Sequence, residues 1–162
     1  MSLREISLTL PNRPGTLAGV ARILAEDHIN VAAISVDSSA RSGRVRLIVS
    51  DPDRATELLS RHGHRIEVRE ILAVRLEDRA GRFLAVLDAL AKAKINIQSV
   101  VILVAREGNQ PLVGLSTTDT ARARAVLKKT GFASSVAERL ISNDELLASA
   151  PSIPSESVGL LL

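Results

Sequence analysis

The sequence predicts an α+β fold in which one βαββαβ unit is built twice. Three observations carry this reading. Some stretches alternate apolar and polar residues with period two, and others repeat apolar residues at helical spacing. The two kinds of stretch follow one order, and that order runs through the chain twice. Matching residues stand 66 positions apart, with Gly15 and Gly81, Asn30 and Asn96, Asp53 and Asp119, and Ala55 and Ala121 as the pairs.

In the first unit, Ile6, Leu8 and Leu10 alternate with Ser7 and Thr9, the pattern of a half-buried strand. At Leu17 the period changes. Leu17, Val20, Ala21 and Leu24 form one apolar helical stripe, ending near Asp27 and His28. Asn30 then supplies a turn residue that tolerates left-handed geometry. Val31 to Val36 is a second strand, the small polar residues from Ser38 to Gly43 turn the chain, and Arg44 to Val49 is a third strand. Asp51-Pro52-Asp53 starts a helix, with an Asp N-cap, Pro at the first helical position and a second acid at the positive dipole end. That helix runs to His62 and stops at Gly63, and Ile66 and Val68 mark a fourth strand.

The second unit copies the first. Its strands are Leu72 to Leu76, Ile97 to Ala105, Leu112 to Ser116 and Val136 to Ile141, and its helices are Gly81 to Ala93 and Asp119 to Thr130. Asn143, with Asp144 and Glu145, caps one last short helix to Ala148. The expected organisation is a first repeat over residues 1–70, a second over 71–148, and a disordered Ser/Pro-rich tail over 149–162 that ends in Leu160-Leu161-Leu162. The element order is the ferredoxin-like one, antiparallel strands with two helices on one face. Arg65 to Glu77 alternates almost without a break, so the two repeats are expected to pack as one rigid body. Val100 to Val104 is apolar on both faces and is expected to be covered on both, at the interface between repeats or subunits. The faces bearing Ser7, Thr9, Arg44 and Arg46 read as too polar for a dry interface.

Composition narrows the chemistry. The chain has 162 residues and 46% hydrophobic content, with two Phe and no Tyr or Trp, so its core must be aliphatic. Cys is absent, which excludes disulfides, thiolate metal sites and Cys nucleophiles, and agrees with a cytoplasmic setting. No apolar run approaches the roughly 20 residues a membrane span requires, and the N-terminus shows no signal-peptide pattern. The net charge of +3 comes from interspersed residues rather than a basic stripe, which argues against nucleic acid. RNA recognition on this element order also needs aromatic residues on the central strands, and Phe83 and Phe132 fall in helix or turn segments. His62-Gly63-His64 reads as a solvated helix end rather than a metal site. Ser35, Asp37 and Ser38 form no recognisable triad, and no phosphate loop or paired-carboxylate motif is present. Arg13 and Asn30 resemble an acylphosphatase-like pair only loosely. The reading is of a chain without a catalyst, a metal or a cofactor.

The remaining candidates are the two strand-to-helix turns. Asn12-Arg13-Pro14-Gly15-Thr16-Leu17 opens the first helix and Asp78-Arg79-Ala80-Gly81-Arg82-Phe83 opens the third. A Gly there admits close backbone approach, and the free N–H groups of the first helical turn suit a carboxylate. The Asn12 amide or the Asp78 carboxylate would accept from an ammonium. Each residue also has a structural reading, as a turn lock or a loop stiffener.

The first turn, followed by His28-Ile29-Asn30-Val31, resembles an ACT domain, and Asp78-Arg79-Ala80-Gly81 with Lys94-Ile95-Asn96-Ile97 resembles it a second time. The resemblance covers residues 4–147 and is to small tandem ACT proteins without an enzyme domain. It implies a regulatory module that binds a free amino acid across a domain interface. The contacts it implies fall on Asn12, Asn30 and Val31, and on Asp78, Asn96 and Ile97 in the second repeat. The second turn departs from the family pattern at Asp78, Ala80, Arg82 and Phe83, and apolar Leu10 points away from serine as the ligand. The partners this implies are a small-molecule amino acid, a second copy in a homodimer, and an enzyme of amino-acid or carboxylate metabolism. The alternatives are a ligand-free protein scaffold, a small ferredoxin-like enzyme and an RNA-binding module.

Overall fold

The structure is a computed structural model that describes residues 3–107 and 110–132. The strand expected at Val136 to Ile141, the helix capped by Asn143 and the tail from Ser149 lie outside the described residues. The elements run β1 (Leu3–Pro11), α1 (Thr16–Glu26), β2 (Val31–Ser38), β3 (Ser42–Val49), α2 (Pro52–Arg61), β4 (Ile66–Arg75), α3 (Arg82–Lys92), β5 (Ile97–Glu107), β6 (Gln110–Thr117) and α4 (Thr120–Lys129). This is the predicted α+β order.

The strands expected at Ile66 and at Leu72 are one continuous strand. β4 pairs with β1 from Ile66 to Ile71 and with β6 from Leu72 to Arg75, both antiparallel. The result is a single six-stranded sheet of order β2-β3-β1-β4-β6-β5. It curls until its two edge strands, β2 and β5, come into contact. The rigid junction predicted from the unbroken alternation is therefore a shared strand.

Alternation sets the faces. Ile6, Leu8 and Leu10 of β1 meet Val20 and Leu24 of α1 and Leu59 of α2 in a first core. In the second half, Val74, Leu115, Val86, Leu90 and Leu127 form the equivalent core with α3 and α4. The third core lies inside the curl, where Leu3, Ala33, Ile48, Ile71, Leu103 and Leu112 meet. Small residues make that approach possible. A Cβ on Gly114 would stand 2.9 Å from Val101 Cγ1 and 3.0 Å from Ile71 Cδ1.

Several expectations are corrected. The predicted equivalence of Asp53 with Asp119 and of Ala55 with Ala121 slips by two residues. The capping side chains are Asp51, accepting from Arg54 N, and Asp119, accepting from Arg122 N. The buried alanines that match are Ala55 and Ala123. Two more residues lie between Asn96 and Asp119 than between Asn30 and Asp51, in the longer β5–β6 hairpin. Asp53 instead accepts from the two terminal Arg4 nitrogens, Nη1 and Nη2, at 2.5 and 2.7 Å, which hold its carboxyl below the usual range.

The left-handed residues that end α1 and α3 are His28 and Lys94, not Asn30 and its counterpart Asn96. They stand where Gly63 and Gly131 end α2 and α4, and each helix closes with the same pair of backbone bonds, such as Ile29 N to Leu24 O and Phe132 N to Leu127 O. The face bearing Ser7 is also partly dry. Ser7 and Glu5 are buried inside the curl, and Ser99 Oγ of β5 reaches Glu5 Oε2 at 3.4 Å, whereas Thr9 and Arg44 stay exposed. Within the described residues of this chain, β5 meets β2 of the other half and has Leu103 buried inward, with Val100 and Ile102 exposed outward.

Two stability tests follow from this packing. Gly114→Ala should cost about 1–3 kcal/mol in chemical denaturation, because the added methyl must push Val101 and Ile71 apart. Thr117 is buried with its hydroxyl unpartnered, where Val49 stands in the first half. Thr117→Val should leave stability unchanged or raise it by about 1 kcal/mol.

Candidate ligand-binding turns

Both turns have one backbone geometry. After β1, Arg13 N donates to Pro11 O at 2.9 Å and Thr16 N to Arg13 O at 3.3 Å. After β4, Arg79 N donates to Glu77 O at 2.8 Å and Arg82 N to Arg79 O at 3.2 Å. Gly15 and Gly81 follow with φ of 83° and 84°, a left-handed conformation that side chains oppose. They are the N-caps of α1 and α3, and neither helix has a side-chain cap.

The helical ladders begin with Gly19 N to Gly15 O and Ala85 N to Gly81 O. The N–H groups of Leu17 and Ala18, and of Phe83 and Leu84, precede them and point out of the helix start. Nothing lies within 4 Å of where a Cβ would sit on Gly15 or Gly81. The glycines are thus required by backbone conformation, and the space above them is open. Leu17, Phe83 and Leu84 are exposed beside these openings.

The side chains around the two turns differ. Asn12 donates its side-chain amide to Ser39 O at 2.8 Å and its backbone N–H to Arg41 O at 3.1 Å, which ties the first turn to the β2–β3 connection. Thr16 Oγ1 donates to Arg13 O, while Arg13 and Pro14 are exposed. In the second turn Asp78, Arg79 and Ala80 are exposed, and Arg79 stands 3.9 Å from Glu77. Arg82 pairs with Glu77 at 3.1 Å and lies over the Phe132 ring at 4.9 Å. Its bulk is folded away from Gly81, against α4's end.

Asn30 and Asn96 sit at the starts of β2 and β5. Asn30 N donates to Ser50 Oγ and Asn96 N to Thr118 Oγ1, with the carbonyls accepting from the N–H groups of Ser50 and Thr118. Both strands carry a bulge one residue further on, between Val31 and Ala33 and between Ile97 and Ser99. Within one half, Asn12 and Asn30 lie at opposite ends of the sheet, so no single small ligand touches both. Across the halves the arrangement differs. Every neighbouring pair is antiparallel, so β1 and β5 run in opposite directions. The turn at Asn12 to Leu17 therefore shares an end of the sheet with Asn96 and Ile97, and the turn at Asp78 to Phe83 shares the other with Asn30 and Val31.

Ser39, Glu77 and Phe132 are the residues around the turns that sequence reasoning missed. Ser39 and Phe132 stand far along the chain from the turns they support, and no motif marks them. Glu77 was within reach, as the acid five residues before Arg82.

Comparison with known proteins places these features. A family model described as an ACT domain pair matches residues 1–143. A solved structure from Bacteroides thetaiotaomicron is similar at 25% identity and a TM-score of 0.75, over 82% of this chain and 91% of that one. The ligand-free regulatory subunit of aspartate kinase from Thermus thermophilus is similar in fold, at 19% identity and a TM-score of 0.59, over 80% and 91%. The corresponding subunit from Thermus flavus gives 18% identity and a TM-score of 0.54, over 81% and 94%. Among curated proteins, none matches the chain in sequence. With nearly its whole length matched and the turn-and-helix geometry present twice, the chain belongs to the ACT domain pair family.

Proposed function

We propose that this protein is a non-catalytic regulatory module that binds a free amino acid or a related small carboxylate at its first-repeat turn. The observation that carries this is the uncapped start of α1, with Gly15 held left-handed, open space above it and two outward N–H groups. A ligand carboxylate supplies the cap that the sequence omits. The ammonium is taken by the neighbouring repeat or subunit, where Asn96 and Ile97, or Asn30 and Val31, begin a bulged strand. Asp78, Arg79, Ala80, Gly81, Arg82 and Phe83 form the matching second-repeat site, with Arg82 held by Glu77 and Phe132.

The repeats correspond to residues 1–70 and 71–148, joined inside β4. The assembly is a cytoplasmic homodimer that acts on an enzyme of amino-acid or carboxylate metabolism, and similarity to a regulatory subunit of aspartate kinase supports an output through a partner enzyme. A scaffold without ligand is the second reading. It is favoured by Asn12, whose side-chain N–H donates to Ser39 O and so has a structural use in tying the turn to the β2–β3 connection.

A thermal-shift screen against the amino acids and their keto-acid relatives tests the proposal. A true ligand at 100 times its Kd stabilises by about 2.7 kcal/mol, a melting shift on the order of 5–10 °C for a chain of this size. Flat curves for every compound would favour the scaffold. Gly15→Val is a poor probe, since its φ strains the fold itself. Leu17→Glu is cleaner: an exposed acid in the first turn keeps or raises the unliganded melting temperature. It should weaken binding of the screened carboxylate at least tenfold, and unchanged affinity would rule out the α1 start as the site.

A further inference from the structure

β1 turns Leu3, Glu5 and Ser7 into the curl, where Glu5 and Ser7 are each more than nine-tenths buried. Their oxygens are poorly served there. Glu5 Oε2 accepts from Ser99 Oγ at 3.4 Å, which is long for a bond between oxygens. Glu5 Oε1 and Ser7 Oγ have no partner among the described residues. The cations nearest in register are engaged elsewhere. Arg69, opposite Glu5 on β4, pairs with Glu67 at 3.5 Å, and Arg46, opposite Ser7 on β3, pairs with Asp37 at 2.6 Å. Neither loose oxygen is sealed in hydrocarbon, since the unpartnered side-chain atoms that are fully closed off are Arg82 Nε and Thr117 Oγ1. Burial with one long bond to a hydroxyl leaves most of the carboxylate's lost hydration unreplaced.

The duplication supplies a control. Glu5 and Ile71, Ser7 and Ala73, and Ala33 and Ser99 stand 66 positions apart. Ile71, Ala73 and Ala33 serve the inter-repeat core as hydrocarbon. The fold therefore needs no oxygen at any of these places, yet one member of each pair carries one. The three converge, with Glu5 and Ser7 on one face of β1 and Ser99 facing Glu5 across the curl.

We propose that Glu5, Ser7 and Ser99 bind a small monovalent cation, an alkali ion or an ammonium group, between the two halves. The donors select it. Carboxylate and hydroxyl oxygens suit hard cations. One carboxylate balances one positive charge, and the described residues hold no cluster of three acids or histidines for a multivalent metal. The cation takes the Glu5 oxygen that lacks a donor together with the Ser7 hydroxyl, and Ser99 Oγ adds a lone pair from the opposite half. It thereby joins β1 to β5, and it is independent of any ligand at the turns.

The test is thermal unfolding of the full chain in sodium, potassium, methylammonium and tetramethylammonium chloride at one ionic strength. Tetramethylammonium is too large for the site and serves as the reference. Sodium or potassium should raise the melting temperature over that reference by about 3 °C or more, saturating with concentration. A saturable rise with methylammonium alone assigns the site to an organic ammonium head. Glu5→Gln, which keeps the shape and removes the charge, should melt alike in all four salts. Ser7→Ala is milder and should raise the half-saturating cation concentration several-fold, which decides the matter if the Gln variant does not fold. Equal melting of wild type in all four salts overturns the site and leaves water as its occupant. A cation effect that survives Glu5→Gln, or a half-saturation unmoved by Ser7→Ala, overturns it as well.

Discussion

β4 is the constraint on which the rest depends. A strand normally serves one sheet unit, but here ten residues serve two, with Ile66 to Ile71 closing the first half and Leu72 to Arg75 opening the second. Its main-chain bonds fix the halves relative to one another more firmly than a side-chain interface would. Strand twist accumulates across the six strands, and the sheet rolls until β2 meets β5. The inner face can then pack on itself only where side chains are small. Ala32, Ala33, Ala73 and Gly114 occupy those points, and Ile48, Ile71 and Leu103 fill the space between them.

The same roll explains a polar inclusion in an otherwise aliphatic core. Glu5 is 3% exposed and Ser7 6% exposed, on the face of β1 that turns inward. A buried carboxylate must find donors, and Ser99 of the opposite half supplies one. Such a contact stabilises less than a hydrocarbon pair would. It does tie a residue of β5 to a residue of β1, across the two halves.

The two turns show how one backbone supports different surfaces. Gly15 and Gly81 share φ within a degree, and the bonds around them match pair for pair. The first is locked to the β2–β3 connection through Asn12. The second is held by an Arg82–Glu77 pair laid over Phe132. The helix starts are thus equivalent as N–H donors, while the side chains around them differ.

Much of this was legible in the chain itself. Period two and period 3.6 alternate in a fixed order, so element identity, the duplication and the two turns follow from local pattern, because backbone geometry repeats with the side chains. Gly15 and Gly81 were identifiable for the same local reason. Other features depended on which distant surfaces meet. Asn30 looked like the left-handed residue, but the closing bonds of α1 put that conformation at His28. Val100 to Val104 looked covered on both faces, but within the chain the curl covers Leu103 inward while Val100 and Ile102 stay exposed outward. Ser7 looked solvated until the curl enclosed it. Alternation names two faces of a strand without saying what lies against either, and that is decided by the twist of a shared strand acting over the whole sheet.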